Sequence, residues 1–259
     1  MDKLEKTLTI LNAKPSQESA PVSALCVLVV TLVFSFCVLS VPVYDPVMLL
    51  WYSVYPIVCS SWYGISFGRL FLRSLIILPF AVLIGVFNPI MDTTPAFTVG
   101  SVTVTQGWLS FTSIILRSLL AMQAVLMLIS THGFEGLCRG LSRLHVPSFI
   151  VDQLLFVYRY LTVLIEEALS MKRAREARGF GRGSFPMKMW AQFIGQLFLR
   201  TIGRAARIHA AMCARGFDGR LPQVGMKDKW HRGDTIFLVL CTALFIILRF
   251  VNLSRLFTV

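Results

Sequence analysis

Charge is scarce in this sequence, and negative charge scarcer still: 15% of its 259 residues are charged, with 13 Asp/Glu against 25 Lys/Arg. With 56% apolar residues, such a chain cannot present the solvated surface of an ordinary soluble domain. No GxxxxGK[ST] run occurs, so the chain has no P-loop in which to cradle a nucleotide. Cys26, Cys37, Cys59, Cys138, Cys213 and Cys241 include no CxxC pair; most lie in apolar stretches and read as small buried hydrophobes. His132, His145, His209 and His231 stand isolated, without ligand spacing. No metal site and no cofactor is expected. No carboxylate pair, HExxH or Ser/His constellation falls in the apolar stretches, and Asp92 lies at a loop, so an intramembrane enzyme finds no support.

What the chain does have is length in apolar windows. Val22–Leu39, Val47–Trp62, Phe71–Val86, Leu109–Ile129 and Thr235–Phe250 approach the roughly 20 residues that span a bilayer. The second and third carry Pro56 and Pro79, which blur their ends. Lys3, Lys6 and Lys14 precede the first window as in a signal peptide, but it is long for that role and no small-residue cleavage site follows. The expected fold is all-α: a polytopic membrane protein with about five transmembrane helices.

The distribution of charge orients it. Residues 131–233 hold 17 of the 25 Lys/Arg and 7 of the 13 Asp/Glu, a local excess of ten positive charges. Lys and Arg are retained on the cytoplasmic side. The expected division is therefore a membrane domain over 1–130, a cytoplasmic segment over 131–233, and a final span and tail over 234–259. Four spans before that segment and one after put the N-terminus inside and the C-terminus outside. Ser40–Pro46 and Asn88–Gly107, placed outside, contain no Lys or Arg, whereas the inner turn has Arg69 and Arg73. Arg249 and Arg255 sit on the wrong side, where helix-end arginines can snorkel.

Three helices are readable in the basic segment. Phe134–Leu144 stops before Pro147. Ile150–Arg178, capped by Ser148, carries an apolar face at Ile150, Leu154, Val157, Leu161, Leu164, Ala168 and Met171. The third runs from Pro186 to Arg215, aromatic and apolar early, small and basic late. Phe149–Ile165 competes as a sixth span, but Asp152, Gln153 and Arg159 are costly at bilayer depth. Helices lying on or partly in the inner leaflet are expected instead.

The last two of these helices end alike. Ala177-Arg178-Gly179-Phe180 and Ala214-Arg215-Gly216-Phe217 lie 37 residues apart. In each, arginine suits the negative end of the helix dipole and glycine suits the left-handed turn that stops a helix. Arginine before a terminal glycine is ordinary helix-ending chemistry, and basic faces also attract anionic lipid; repetition with the same phenylalanine points further. Each motif holds a guanidinium at a helix tip beside a small residue, open to a carboxylate or phosphate partner.

The stretch Gly136–Arg220 resembles the transmembrane T component of energy-coupling-factor transporters, in particular the CbiQ-type permease of cobalt/nickel uptake. The likeness is carried by Leu144-His145-Val146-Pro147, Tyr158-Arg159-Tyr160, Glu166-Glu167, Arg173 to Phe180, Arg207–His209 and Ala214 to Gly219. It extends weakly to Phe87-Asn88-Pro89 and Asp234. Before the first span, Ser19-Ala20-Pro21-Val22-Ser23 stands where an Asp-Pro-Arg-like segment would be expected. The resemblance implies two coupling helices, docked through Ala177, Arg178, Gly179 and Ala214, Arg215, Gly216 on two ATP-binding-cassette subunits. It also implies a substrate-binding membrane subunit held against the spans, with Trp190, Phe193 and Leu197 at the contact.

On this reading ATPase motion changes the angle between the long helices, while Ala205, Ala206, Ala210 and Ala211 let them cross closely and slide. The single span after the second motif and its Phe-Asp-Gly favour cobalt or nickel over a vitamin-type scaffold. A nucleic-acid binder would show a longer Arg/Gly stretch with interleaved aromatics, so no nucleic-acid partner is expected.

Overall fold

The computed structural model describes residues 22–99, 102–178, 187–217, 219 and 231–250. Within these, the chain divides into two compact units, one built from 22–140 with 231–250 and the other from 141–219.

The first unit is a set of apolar helices. α1 (Ala24–Ser40) is followed by α2 (Pro46–Tyr52) and α3 (Val54–Trp62), then by α4 (Phe67–Ser74), a 3-10 turn at Leu75–Ile77, α5 (Leu78–Gly85) and α6 (Asn88–Met91). α7 (Gln106–Arg143) and α10 (Arg232–Phe250) complete it. Proline lacks an N–H and its ring clashes with the carbonyl four residues back. Pro56 accordingly breaks the second expected span at Tyr52–Ser53, so that Val47–Trp62 is two short helices. Pro79 tightens the third at Leu75, and Pro89 interrupts it again after Gly85. That third pass is longer than expected, an apolar run over Phe67–Met91. The loop before α7 carries a small hairpin, β1 (Pro95–Val99) against β2 (Val102–Thr105), paired antiparallel with Phe97 opposite Val104. The alternation of Thr and Val around Gly100-Ser101 was a readable strand signal. Gly107 follows it, and a Cβ there would lie 2.5 Å from the Asn88 carbonyl oxygen. Only glycine allows the start of α7 to sit against the Asn88–Asp92 turn.

An aromatic knot holds α1, α2, α3 and α10 together. The Phe34 ring lies 4.6 Å from Tyr55 and 5.3 Å from Phe245, and Tyr55 meets Phe245 edge-on at 5.1 Å. Tyr52 satisfies its hydroxyl by donating to the Phe245 carbonyl, as a buried tyrosine must. Phe34, Tyr52 and Phe245 are fully buried. On the outside, Leu32, Phe36, Leu39, Leu72, Ile76, Leu83 and Ile84 are exposed, an apolar surface of the kind that faces lipid.

At one end of this unit three chain segments meet. Asp234 is 1% exposed and its two oxygens accept from separate helix starts. One takes the Ser23 N–H, at the N-cap of α1, and the other the His231 N–H, just before α10, each at 2.9 Å. A carboxylate there answers orphan N–H groups and the positive ends of both helix dipoles. From within α7, one residue before Gly133, His132 Nε2 donates to the Val22 carbonyl at 3.0 Å. α1 and α10 therefore run parallel, and the apolar part of α7 runs antiparallel to them.

α7 kinks at Gly133 (φ 64°, ψ −176°), a conformation open to glycine. Beyond it Phe134–Arg143 forms the short helix expected there. Gly140 brings it within 3.1 Å of Leu28, measured from an added Cβ. Its end is a left-handed turn at His145 (φ 62°), closed by Val146 N–H donating to the Leu141 carbonyl. Cys26, Cys59, Cys138 and Cys241 are buried as expected, Cys37 is intermediate, and Cys213 is exposed.

Candidate functional site

The second unit is a helical hairpin. α8 (Ser148–Arg178) has 31 residues and α9 (Met187–Cys213) has 27, so at 1.5 Å per residue α9 alone is about 40 Å long. The two run antiparallel. Near the connection Arg175 Nη1 donates to the Met189 carbonyl at 3.1 Å, and further along Arg200 pairs with Glu167 at 2.7 Å.

The arginine motifs sit at the two far ends of this hairpin. Arg178 is the last residue of α8 and lies beside the start of α9; Gly179 and Phe180 fall outside the described residues. At the other end Gly216 takes φ 81°, Phe217 N–H donates to the Met212 carbonyl and Gly216 N–H to the Cys213 carbonyl, each at 3.0 Å. Those two bonds make a Schellman turn. The Phe217 ring closes it by meeting His209 edge-on at 6.4 Å. Arg215 occupies the C-cap position, and Ala177, Arg178, Ala214, Arg215 and Gly216 are all exposed. Neither arginine makes an ion pair among the described residues. Two cations are thus presented at helix tips about one α9 length, or about 40 Å, apart.

The three expected substrate-subunit residues divide differently. Trp190 is 47% exposed, whereas Phe193 and Leu197 are half-buried. Phe193 shares a cavity of about 430 Å³ with Ala174, Arg175, Arg178, Gln192 and Arg200, which puts it beside one arginine tip. The exposed apolar stripe of α9 is instead Trp190, Ile194, Phe198 and Ile202, spaced four apart on one helix face. Trp190 belongs to this exposed row, while Phe193 and Leu197 lie on the neighbouring one, which α8 partly covers. The expected close crossing at the small residues is not seen: Ala205, Ala206, Ala210 and Ala211 are exposed, and a slot separates the helices along that half.

α8 has the extent expected of it, with Ser148 as its first residue. As one continuous helix, Ser148–Arg178 is long and apolar enough to cross a membrane, as are Phe67–Met91 and Gln106–Arg143. α9, with Arg200, Arg204 and Arg207 in its later half, is not among those described helices.

These features define an all-α polytopic membrane protein that presents paired arginine helix tips. The chain belongs to the CbiQ cobalt transport protein family, whose sequence model matches residues 12–225. It is 32% identical over 105 residues to the cobalt transport protein CbiQ of Salmonella typhimurium, covering 40% of this chain and 46% of that one. Against the nickel permease LarQ of Lactiplantibacillus plantarum it is 30% identical over 102 residues, covering 39% and 37%. A putative fused cobalt transport protein CbiMQ of Methanocorpusculum labreanum is 28% identical over 104 residues, covering 40% and 17%. The matched stretches span less than half the length of each of these relatives.

Proposed function

We propose that this chain is the transmembrane scaffold, or T component, of an energy-coupling-factor importer for cobalt or nickel. The observation that carries the reading is the pair of exposed arginine tips at opposite ends of one hairpin, about 40 Å apart. Two tips of like chemistry suit two copies of an ATP-binding-cassette subunit, which present two equivalent grooves. Arg178 and Arg215 pair with acidic groups there, and Ala177 and Ala214 leave room for approach. The chain has no P-loop, so the energy comes from those subunits and the chain itself is not an enzyme. The exposed row from Trp190 to Ile202, with Phe193 and Leu197 at its edge, contacts a substrate-binding membrane subunit. The fused CbiMQ relative, whose name joins a second component to a CbiQ part, supports such a neighbour. The cobalt and nickel names of the relatives favour a metal cargo over a vitamin.

The hairpin lies at the cytoplasmic face of the cell membrane. His132, at the kink of α7, and Asp234, in the first turn of α10, are tied to the adjacent residues Val22 and Ser23, which supports an even number of crossings over 133–231. A crossing by α8 would require α9 to cross back, and its arginines oppose that. The positive excess of this segment then sets the side as cytoplasmic, with the N-terminus.

Charge reversal is the test. Arg178→Glu and Arg215→Glu each abolish co-purification of an ATPase subunit and lower cobalt or nickel uptake by at least about tenfold, while thermal stability stays within about 0.5 kcal/mol of wild type. Co-purification and uptake that survive both reversals sink the reading.

A further inference from the structure

Beyond the Arg200–Glu167 pair, the slot between α8 and α9 carries charge that its own walls do not balance. It encloses about 380 Å³ between Phe156, Leu161 and Leu164 on one side and Arg204, Ala205 and Ile208 on the other. A second cavity of about 340 Å³ shares Leu164 and Arg204 with it and adds Glu167, Arg200 and Arg207. Arg204 stands where the apolar slot meets the cationic one. Among the described residues, Glu167 is the one carboxylate lining either cavity, and Arg200 already holds it at 2.7 Å. Arg204, half-buried, and Arg207, exposed, make no ion pair among the described residues.

A guanidinium against an apolar wall loses hydration and needs an anion to offset it. An open apolar slot needs hydrocarbon for a parallel reason. A molecule with an anionic head and an alkyl tail meets both needs at once. We infer that this slot is a binding site for an anionic phospholipid. Its phosphate sits on Arg204 and Arg207, whose planar forks suit phosphate oxygens. One acyl chain runs along Phe156, Leu161, Leu164 and Ile208. The volume lies in the range of about 300–1,000 Å³ usual for ligand sites, and a basic pocket between helices is a recurrent form of headgroup recognition. The lipid wedges the hairpin open along the half where small residues would otherwise let the helices close. The site follows from the hairpin's geometry and charge and does not depend on the ATPase reading.

Native mass spectrometry of the full chain in mild detergent tests this without any ATPase present. Phosphatidylglycerol, phosphatidylcholine and inorganic phosphate are titrated separately. A saturable single adduct of phosphatidylglycerol is expected, at about tenfold lower concentration than any phosphatidylcholine adduct, and weakened about tenfold by Arg204→Gln with Arg207→Gln. Ala205→Trp fills the slot and leaves both guanidiniums; it weakens phosphatidylglycerol binding and leaves the response to inorganic phosphate unchanged. Equal binding of the two lipids, full displacement of phosphatidylglycerol by equimolar inorganic phosphate, or wild-type retention in the double variant overturns the assignment. Should the double variant not fold, lipid selectivity in the wild type together with Ala205→Trp gives the answer.

Discussion

α10 and α9 are both long helices of one chain, yet they are completed in opposite ways. α10 inserts Phe245 into a knot with Phe34, Tyr52 and Tyr55 and shares a buried carboxylate with α1. α9 has no buried residue along its 27 positions and keeps Trp190, Ile194, Phe198 and Ile202 exposed. The first unit closes a core of its own around Phe34, Tyr52 and Phe245; the hairpin leaves its apolar row and its arginines to be met from outside. Stability and recognition are thereby carried by different residues, and substitutions can separate them.

The widest separation is expected between two phenylalanines. Phe34→Ala empties the centre of the knot and costs about 3–5 kcal/mol, read as a large fall in the melting temperature of the purified full chain. Phe198→Ala, at 62% exposure, changes stability by no more than about 0.5 kcal/mol but weakens retention of a membrane partner. Equal melting temperatures for the two variants would break the contrast. Next comes the buried carboxylate. Asp234→Ala strips the acceptor from two N–H groups, at about 1–3 kcal/mol for each one left buried; hydrogen exchange at Ser23 and His231 rises first. The smallest effect falls on the hairpin itself. Gly216→Ala forces a Cβ into a left-handed turn at a cost of about 1 kcal/mol, measured as fraying of the last turn of α9 with the core of the first unit unchanged.

Much of this was legible in the sequence. Five apolar windows, the basic segment and the two Ala-Arg-Gly-Phe motifs mark helices and ends at Arg178 and at Arg215-Gly216, because length, charge and glycine act locally. Pro56 and Pro79 announced trouble in spans two and three; where the breaks fall, at Ser53 and Leu75, follows from the clash four residues back. The antiparallel placement of the two arginine tips was not readable. The Arg200–Glu167 and Arg175–Met189 contacts mark it, and they join residues that no periodicity links. The same holds for the slot at Ala205, where small side chains suggested contact and the structure shows separation. Asp234 could be seen opening the last span, but not that Ser23, 211 positions earlier, is its partner.

That distance along the chain has a consequence for biosynthesis. Val22 gains its partner when His132 emerges, 110 residues later, whereas the Ser23 amide waits 211 residues for the Asp234 carboxylate. At about 5–20 residues per second, the second interval lasts about 10–40 s. Throughout that time α1 is already made while the carboxylate that takes its Ser23 amide is not. A ribosome halted within the hairpin therefore holds a nascent chain in which Val22 can already meet His132 while the Ser23 amide still lacks its carboxylate, so the base of the first unit closes in two steps.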